Sequence, residues 1–401
     1  MPSALVLCNQ EGISTQVIHC LRLAGIPVHA AGAPEAHFMR WSRYLRSFHR
    51  LEARVERLSP DELSAQLLRI VRENNIGVVL GSDYEACRAV ASIAPTLPVP
   101  VFPTSPPHGI EAYHDKAGFM ELARRCGAPI TDYVVLPSKH GLDHTELSRR
   151  FGRVYVVKPT REGNGNGVTF IDDANTLTQH IIENDSYDFA PLIVMPFIQG
   201  RDVGVSIYAE NGRVLASVCQ QREADSITFF DYPPLVEAAS AVVSAGGYTG
   251  VAHIDARLGP DGSISLLECN ARFWSTVFAT ALAGINFVQI GLSSLFADKI
   301  PCATPPDIAG RSLTPPNRLL ARWVGWRGRS LPTTSDSLRW MRIVIGDPLP
   351  WILGDLRYRR RRLRDLRYGT RMFGGKATLS GSQSEQGSSL LCMLRSRHRT
   401  L

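Results

Sequence analysis

The chain has 401 residues, 44% of them hydrophobic and 20% charged, and carries a net charge of +7. That composition suits two or three folded domains with room for a sizeable core, and excludes a low-complexity or fibrous chain. The charge is uneven: residues 301–401 hold 19 Lys and Arg against 6 Asp and Glu, whereas residues 1–300 hold 25 against 31. The basicity therefore belongs to the last quarter. The eight cysteines show no CxxC or metal-ligand spacing, and several sit in apolar runs as reduced core thiols do. The chain enters Ala4-Leu5-Val6-Leu7-Cys8 without a basic leader, and no apolar run approaches the ~18 residues of a membrane span. A cytoplasmic setting is expected.

Residues 4–8 read as a buried strand, 14–24 as a helix ending at Gly25, and 27–31 as a second strand. Residues 37–57, rich in Arg, His and aromatics, suggest a mobile loop followed by a helix. Ser59-Pro60-Asp61-Glu62 opens a helix to about Asn74, Ile76–Leu80 is a strand, Tyr84–Ile93 a helix and Val99–Pro103 a strand. Strands alternating with helices predict a Rossmann-like parallel α/β domain over 1–108, without the GxGxxG of a dinucleotide site. Gly81-Ser82-Asp83 follows a strand end, where open α/β sheets place ligands, although Asp83 equally suits a helix N-cap.

Asp115-Lys116 begins a helix reaching Arg125; a Lys in the first turn opposes the macrodipole unless it serves an anion. Thr131–Leu136 is a predicted strand and Thr145–Phe151 a short helix. Val154-Tyr-Val-Val-Lys158-Pro159 then leads into Gly163, Gly165 and Gly167. Alternating glycines let backbone N–H groups approach phosphate oxygens and the lysine adds a point charge, although Gly-Asn repeats also serve as plain turns. Leu192–Asp202 reads as a buried strand broken at Pro196 and Gly200, as in a linker crossing a cleft. Asn211-Gly212 marks a hairpin, and the following strand runs to Gln221-Arg222, a candidate anion contact.

After a helix over 237–245 comes the stretch with the densest chemistry, His253 to Arg272. Gly259-Pro260-Asp261-Gly262 is a strong turn signal between two short strands. Alternation puts His253, Asp255 and Arg257 on one face of the first strand and Glu268, Asn270 and Arg272 on one face of the second, with Asp255 opposite Glu268. Two carboxylates and an amide oxygen form a hard oxygen site of the type that holds Mg²⁺ beside phosphates. Cross-strand ion pairs on a solvated face are the plainer alternative.

Lys116, Lys158 with its glycines, Pro196-Phe197-Ile198-x-Gly200-x-Asp202 and Leu267-Glu268-Cys269-Asn270-Ala271-Arg272 occur in an order that resembles the ATP-grasp superfamily. The resemblance covers roughly residues 110–295. It implies an α+β ATP-grasp core of two lobes over 109–300, following the domain at 1–108. It further implies that Lys116 and Lys158 bind ATP phosphates under the loop carrying Gly163, Gly165 and Gly167. The backbone at Met195, Phe197 and Ile198 would read adenine, and Asp202 the ribose. Asp255, Glu268 and Asn270 would hold one or two Mg²⁺, or Mn²⁺ in its place, and Arg272 would stabilise the transferred phosphoryl group. His253 and Arg257 are further catalytic candidates. The family's linker commonly carries a Glu where Pro196 stands, and often a Pro where Ala271 stands. The activity implied is a ligase joining a small-molecule carboxylate to an amine or other nucleophile. A carboxylase-like or kinase-like use of the fold, or a non-catalytic ATP-binding regulator or membrane-recruited scaffold, is the alternative.

Composition changes again at Pro301. Residues 301–373 form a basic, Arg- and Trp-rich extension, and 374–401 a Ser/Gly/Gln-rich tail expected to be disordered. Over 351–367, Ile352, Leu356, Leu363 and Leu366 fall on one side of a helix with Arg on the rest. An anionic membrane surface suits such a segment, nucleic acid is a weaker competitor, and packing on the enzyme itself is the plain alternative.

Overall fold

The computed structural model describes residues 3–296, 308–323 and 334–357, except 104, 164, 224 and 355. The expected tail at 374–401 and most of the Arg-rich run lie outside the described residues. Two compact units are formed, one from Met1–Gln221 and Thr228–Ser312, the other from Arg222–Ile227 and Leu313–Leu401.

The first unit opens with β1 (Ser3–Cys8), α1 (Glu11–Leu23), β2 (Val28–Gly32), β3 (Leu45–Arg50), α2 (Pro60–Glu73), β4 (Ile76–Gly81), α3 (Tyr84–Ile93) and β5 (Val101–Phe102). The five strands are parallel in the order β3-β2-β1-β4-β5. Parallel strands covered on both faces read as unbroken apolar runs, and every residue of β2 and nearly all of β1 are buried. Ser59 caps α2 with a full capping box through Glu62, as its start chemistry predicts. Residues 37–57 depart from expectation: they hold β3 between two short 3₁₀ turns. Charged residues such as Arg46 and Arg50 suit an edge strand, and they masked its alternation in the sequence.

Helices α4 (Pro107–His114) and α5 (Lys116–Arg125) lead into a four-stranded sheet ordered β6-β9-β7-β8. Its strands are β6 (Val134–Leu136), β7 (Tyr155–Pro159), β8 (Thr169–Ile171) and β9 (Leu192–Pro196), with α6 (His144–Phe151) and α7 (Ala174–Leu177) between them. Pro196 is tolerated because it is the last residue of β9, beyond the reach of β6, where no ladder partner calls for its missing N–H.

The larger antiparallel sheet runs β14-β13-β10-β11-β12. It comprises β10 (Arg201–Glu210), β11 (Arg213–Arg222), β12 (Ile227–Phe230), β13 (Gly250–Leu258) and β14 (Ile264–Asn270), with α8 (Pro233–Ala245) before β13. Asn211 and Gly212 both have positive φ, as a two-residue hairpin turn between β10 and β11 requires. Two buried helices, α9 (Val277–Ala283) and α10 (Phe287–Leu295), follow. Among the described residues no single helix is long and apolar enough to cross a membrane. The second unit contains α11 (Pro316–Trp323) and α12 (Ser335–Gly346), the latter capped by Thr334.

His19 of α1 is buried between Tyr44 and Phe278, with its Nδ1 unpartnered among the described residues. Burial, then the nearby Arg22, pushes its pKa down to about 4. Unfolding returns the ring toward the ordinary value of about 6.5, so the unfolded chain takes up a proton that the folded chain refuses. Stability is therefore expected to fall as pH drops through that window. The slope of melting temperature against pH should be shallower in His19→Asn.

Candidate active site

The register of the β13–β14 hairpin places Asp255 directly opposite Glu268, as expected from their near-symmetry about the turn, and His253 opposite Asn270. A bulge between Asp255 and Ala256 then shifts the ladder, so that Ala256 pairs with Leu266 and Leu267 is the extra residue. The carbonyl of Leu267 is thereby turned toward a side chain: it accepts from Lys158 Nζ at 3.4 Å.

Lys158 arrives from the other sheet, on β7. At the strand's end, Thr160 receives the backbone N–H of Lys116 on its carbonyl at 2.8 Å, which clamps the start of α5 to the end of β7. Two lysines 42 positions apart thus enter one place. Lys116 Nζ lies 3.5 Å and Lys158 Nζ 3.6 Å from the same oxygen, Glu268 Oε2. Lys116 also donates to the Glu162 carbonyl, at the entry to the glycine loop. Burial opposes the charge on Glu268, but the two ammonium groups outweigh it and hold the carboxyl below its usual range. Burial likewise pulls the Lys158 pKa down, with Glu268 opposing and Lys116 adding to the shift. Removing one partner of such a group strands the others without their counter-charge.

Asn270 joins Asp255 to the arginine. Its Nδ2 donates to Asp255 Oδ2 at 3.0 Å, and its Oδ1 accepts from Arg272 Nη2 at 2.9 Å. Arg272 is buried, and its Nη1 donates to the Phe273 carbonyl at 2.7 Å. Its Nε has no partner among the described residues. Gly163 stands over the guanidinium: a Cβ built there would lie 3.9 Å from Nη2. Gly165 and Gly167 both have positive φ, and a Cβ at Gly167 would strike the Pro159 ring at 2.6 Å.

Three further buried polar atoms around this centre are also unpartnered among the described residues: Thr160 Oγ1, His114 Nδ1 and Trp274 Nε1. Each buried unsatisfied group costs about 1–3 kcal/mol, so a cluster of them is expected where a polar ligand completes the site. The donor set fits a hard cation and an anion together. Asp255, Glu268 and the second lone pair of Asn270 Oδ1 offer oxygen donors of the kind a hard cation takes, while Lys116, Lys158 and Arg272 supply the opposing charge. Among the described residues no group of three or more His, Cys, Asp or Glu gathers as a metal site, so two carboxylates and an amide make up the candidate.

Other predicted site residues have different surroundings. Arg257 does not face this centre's acids. Its Nη1 pairs with Asp202 Oδ1 at 2.7 Å, directly across the β10–β13 ladder, and its Nε donates to the Ile198 carbonyl at 3.0 Å. The guanidinium thus ties the linker to the sheet, and Asp202 carries a cation already. The Phe197 amide is likewise engaged, donating to the Val154 carbonyl at 3.1 Å, and Met195 is buried in β9 opposite Val156. Gln221 Oε1 accepts from Arg201 Nη1 at 2.9 Å, and Arg222 ends β11. Asp83 is the N-cap of α3, accepting from Ala86 N–H at 3.3 Å, and it also accepts from Gln10 N–H at 2.8 Å.

His253 is held from three sides. Nδ1 meets Ser206 Oγ at 2.9 Å, Nε2 lies 3.3 Å from Asp255 Oδ1, and the ring stacks on Trp274. Beneath it lies Gly204, where a Cβ would come within 2.5 Å of the imidazole. Ser206, Gly204 and Trp274 were not singled out from the sequence. A lone glycine inside a strand signals a close approach, and Ser206 shares its face two residues on.

Two family profiles match the chain: "ATP-grasp in the biosynthetic pathway with Ter operon" over residues 188–311 and "D-ala D-ala ligase C-terminus" over 122–234. A D-alanine–D-alanine ligase of Lactobacillus helveticus is 24% identical over 187 residues, which span 39% of this chain and 51% of that protein. The chain thus spans about half the length of the curated relatives it matches. Among solved structures, an L-amino acid ligase from Bacillus licheniformis superposes with a TM-score of 0.59 at 18% identity, covering 78% of each chain. A carboxyaminoimidazole ribonucleotide synthase from Aspergillus clavatus, complexed with ATP, gives 0.62 at 15% identity over 88% of this chain and 98% of the other.

Glu268→Gln keeps the side chain's size and removes the counter-charge of two lysines. It is expected to lower the stability of the nucleotide-free chain by roughly 2 kcal/mol, allowing for the partial exposure of the carboxylate. Urea unfolding measures this, and an unchanged midpoint would show that the lysines do not depend on Glu268. Both matched profiles, the two lysines on either side of one glutamate and the arrangement of the sheets lead to one assignment: residues 122–311 of the chain form a domain of the ATP-grasp superfamily.

Proposed function

We propose that this chain is an ATP- and Mg²⁺-dependent ligase that activates a small-molecule carboxylate as an acylphosphate for attack by an amine. The observation that carries this reading is the convergence of Lys116 and Lys158 on Glu268 beside a buried Arg272 with an unpartnered Nε. A site that merely holds a nucleotide has no need of two carboxylates, an amide and three cations packed at one point. The D-alanine–D-alanine ligases it matches in sequence support a carboxylate–amine reaction in general terms.

The chemistry follows from the charges. Asp255, Glu268 and Asn270 would hold Mg²⁺, which when bound neutralises charge on phosphate oxygens. Lys116 and Lys158 exchange Glu268 for the phosphates, and the glycine loop covers them with backbone N–H groups. A carboxylate oxygen of the first substrate attacks the γ-phosphorus, the bond to the β-phosphate oxygen breaks, and ADP leaves. Arg272 stabilises the charge spread over the transferred group. The amine then attacks the acyl carbon and inorganic phosphate departs with the electron pair, the amine losing its proton. His253, fixed by Ser206 and Trp274, is the polar group that positions the first substrate beside Asp255. Arg257 has a positioning role, keeping Ile198 and Asp202 in place next to the nucleotide.

ADP release measured with Mg²⁺ across a panel of carboxylates and amines tests the reading. Release stimulated by a matched pair is expected, and Glu268→Ala should abolish it. ATP binding without any substrate-stimulated release would favour a non-catalytic binder. Gly204→Ala, by displacing the His253 ring, is expected to lower kcat/KM for the carboxylate at least tenfold while nucleotide affinity holds. An unaltered kcat/KM would remove His253 from the substrate site.

A further inference from the structure

Six large apolar side chains are exposed among the described residues, and four of the six follow one another closely: Ile345 at 61% exposure, Leu349 at 47%, Ile352 at 42% and Leu356 at 47%. Helix α12 buries Trp340, Met341 and Val344, so its own packing requirement is met by a different side. The chain bends at Asp347 and is helical again over residues 348–354, with Leu356 and Arg357 helical beyond. On that second helix Leu349, Ile352 and Leu356 are spaced three and four residues apart, which lines them up on one face. Trp351 is half-buried beside them.

An aliphatic stripe on a helix needs an occupant, and the adjoining sequence indicates its charge. From Arg357 to Arg367 there are seven arginines against one aspartate, within a quarter of the chain whose net charge is +13. A second copy of the chain would bring the same positive charge to the contact. Nucleic acid would use the arginines but gains nothing from exposed leucine and isoleucine. A bilayer containing anionic lipid uses both, since aliphatic side chains enter the acyl boundary while guanidinium groups meet the headgroups.

We propose that the Leu349–Ile352–Leu356 face, together with the arginine run that follows it, docks this protein on an anionic lipid bilayer. The attachment is peripheral and reversible. It needs both signals, because neither a short aliphatic stripe nor a polybasic segment alone holds a protein firmly at a membrane.

Co-sedimentation of the full chain with phosphatidylcholine vesicles, with and without phosphatidylserine, tests this. Binding is expected only with phosphatidylserine, and it should weaken as salt is raised. The triple substitution Leu349→Glu, Ile352→Glu and Leu356→Glu should reduce partitioning at least tenfold, with ADP release in solution unchanged. Each arginine among Arg359, Arg360, Arg361 and Arg362 changed to Gln should reduce it roughly fivefold. The altered aliphatics are exposed, so the melting temperature is expected to hold; should the triple variant fail to fold, the arginine and salt series still decide. Undiminished binding by the triple variant, or equal binding to neutral vesicles, overturns the proposal. So does binding to an oligonucleotide without vesicles, or self-association that the triple variant abolishes while vesicles are ignored.

Discussion

A single carboxylate oxygen shared by two buried ammonium groups organises the functional half of this molecule. Glu268 sits on β14 of the large sheet, Lys158 on β7 of the smaller one and Lys116 at the head of α5. None of the three charges is cheap to bury alone, and each reduces the cost of the others. The fold serves that meeting. Thr160 holds the start of α5 against the end of β7, and the bulge at Leu267 turns a carbonyl to Lys158. Asn270 couples Asp255 on one side to Arg272 on the other. The centre is therefore pre-organised by a backbone clamp between two elements and by side-chain hydrogen bonds anchored on the strands.

The same arrangement explains why a nucleotide and a divalent cation suit the site together. The lysines pair with Glu268, and on the proposed reading the carboxylate stands where phosphate oxygens would bind. A cation drawing on Glu268, Asp255 and Asn270 would release the lysines for phosphate. The unpartnered Nε of Arg272 and Oγ1 of Thr160 mark the remaining polar requirements.

Much of this was legible in the chain because short-range geometry controls it. The turn signal at Gly259–Gly262 brings Asp255 and Glu268 to neighbouring strands, and period-two alternation puts His253 and Asn270 on the same face, whereas the direct pairing of the two acids also needs the extra residue at Leu267. The Asp83 cap follows from a strand end before a helix. What escaped depends on pairings over long separations. Arg257 reads as a substrate contact until β10 is laid beside β13 and brings Asp202 opposite it, 55 residues away in sequence. Similarly, the engagement of the Phe197 amide with Val154 depends on how β9 lies along β7. Strand β3 was obscured because an edge strand's solvent side is charged, so its hydrophobic alternation is half erased.

The central claim is that Glu268 competes with phosphate for Lys116 and Lys158 until a metal ion takes the carboxylate. Calorimetric titration of a non-hydrolysable ATP analogue into the Glu268→Gln chain, in EDTA and then in Mg²⁺, tests it most directly. With its lysines released, that variant is expected to bind the metal-free analogue at least tenfold more tightly than the unaltered chain and to gain little from Mg²⁺. Weaker metal-free binding by the variant, together with an undiminished gain from Mg²⁺, would contradict the account.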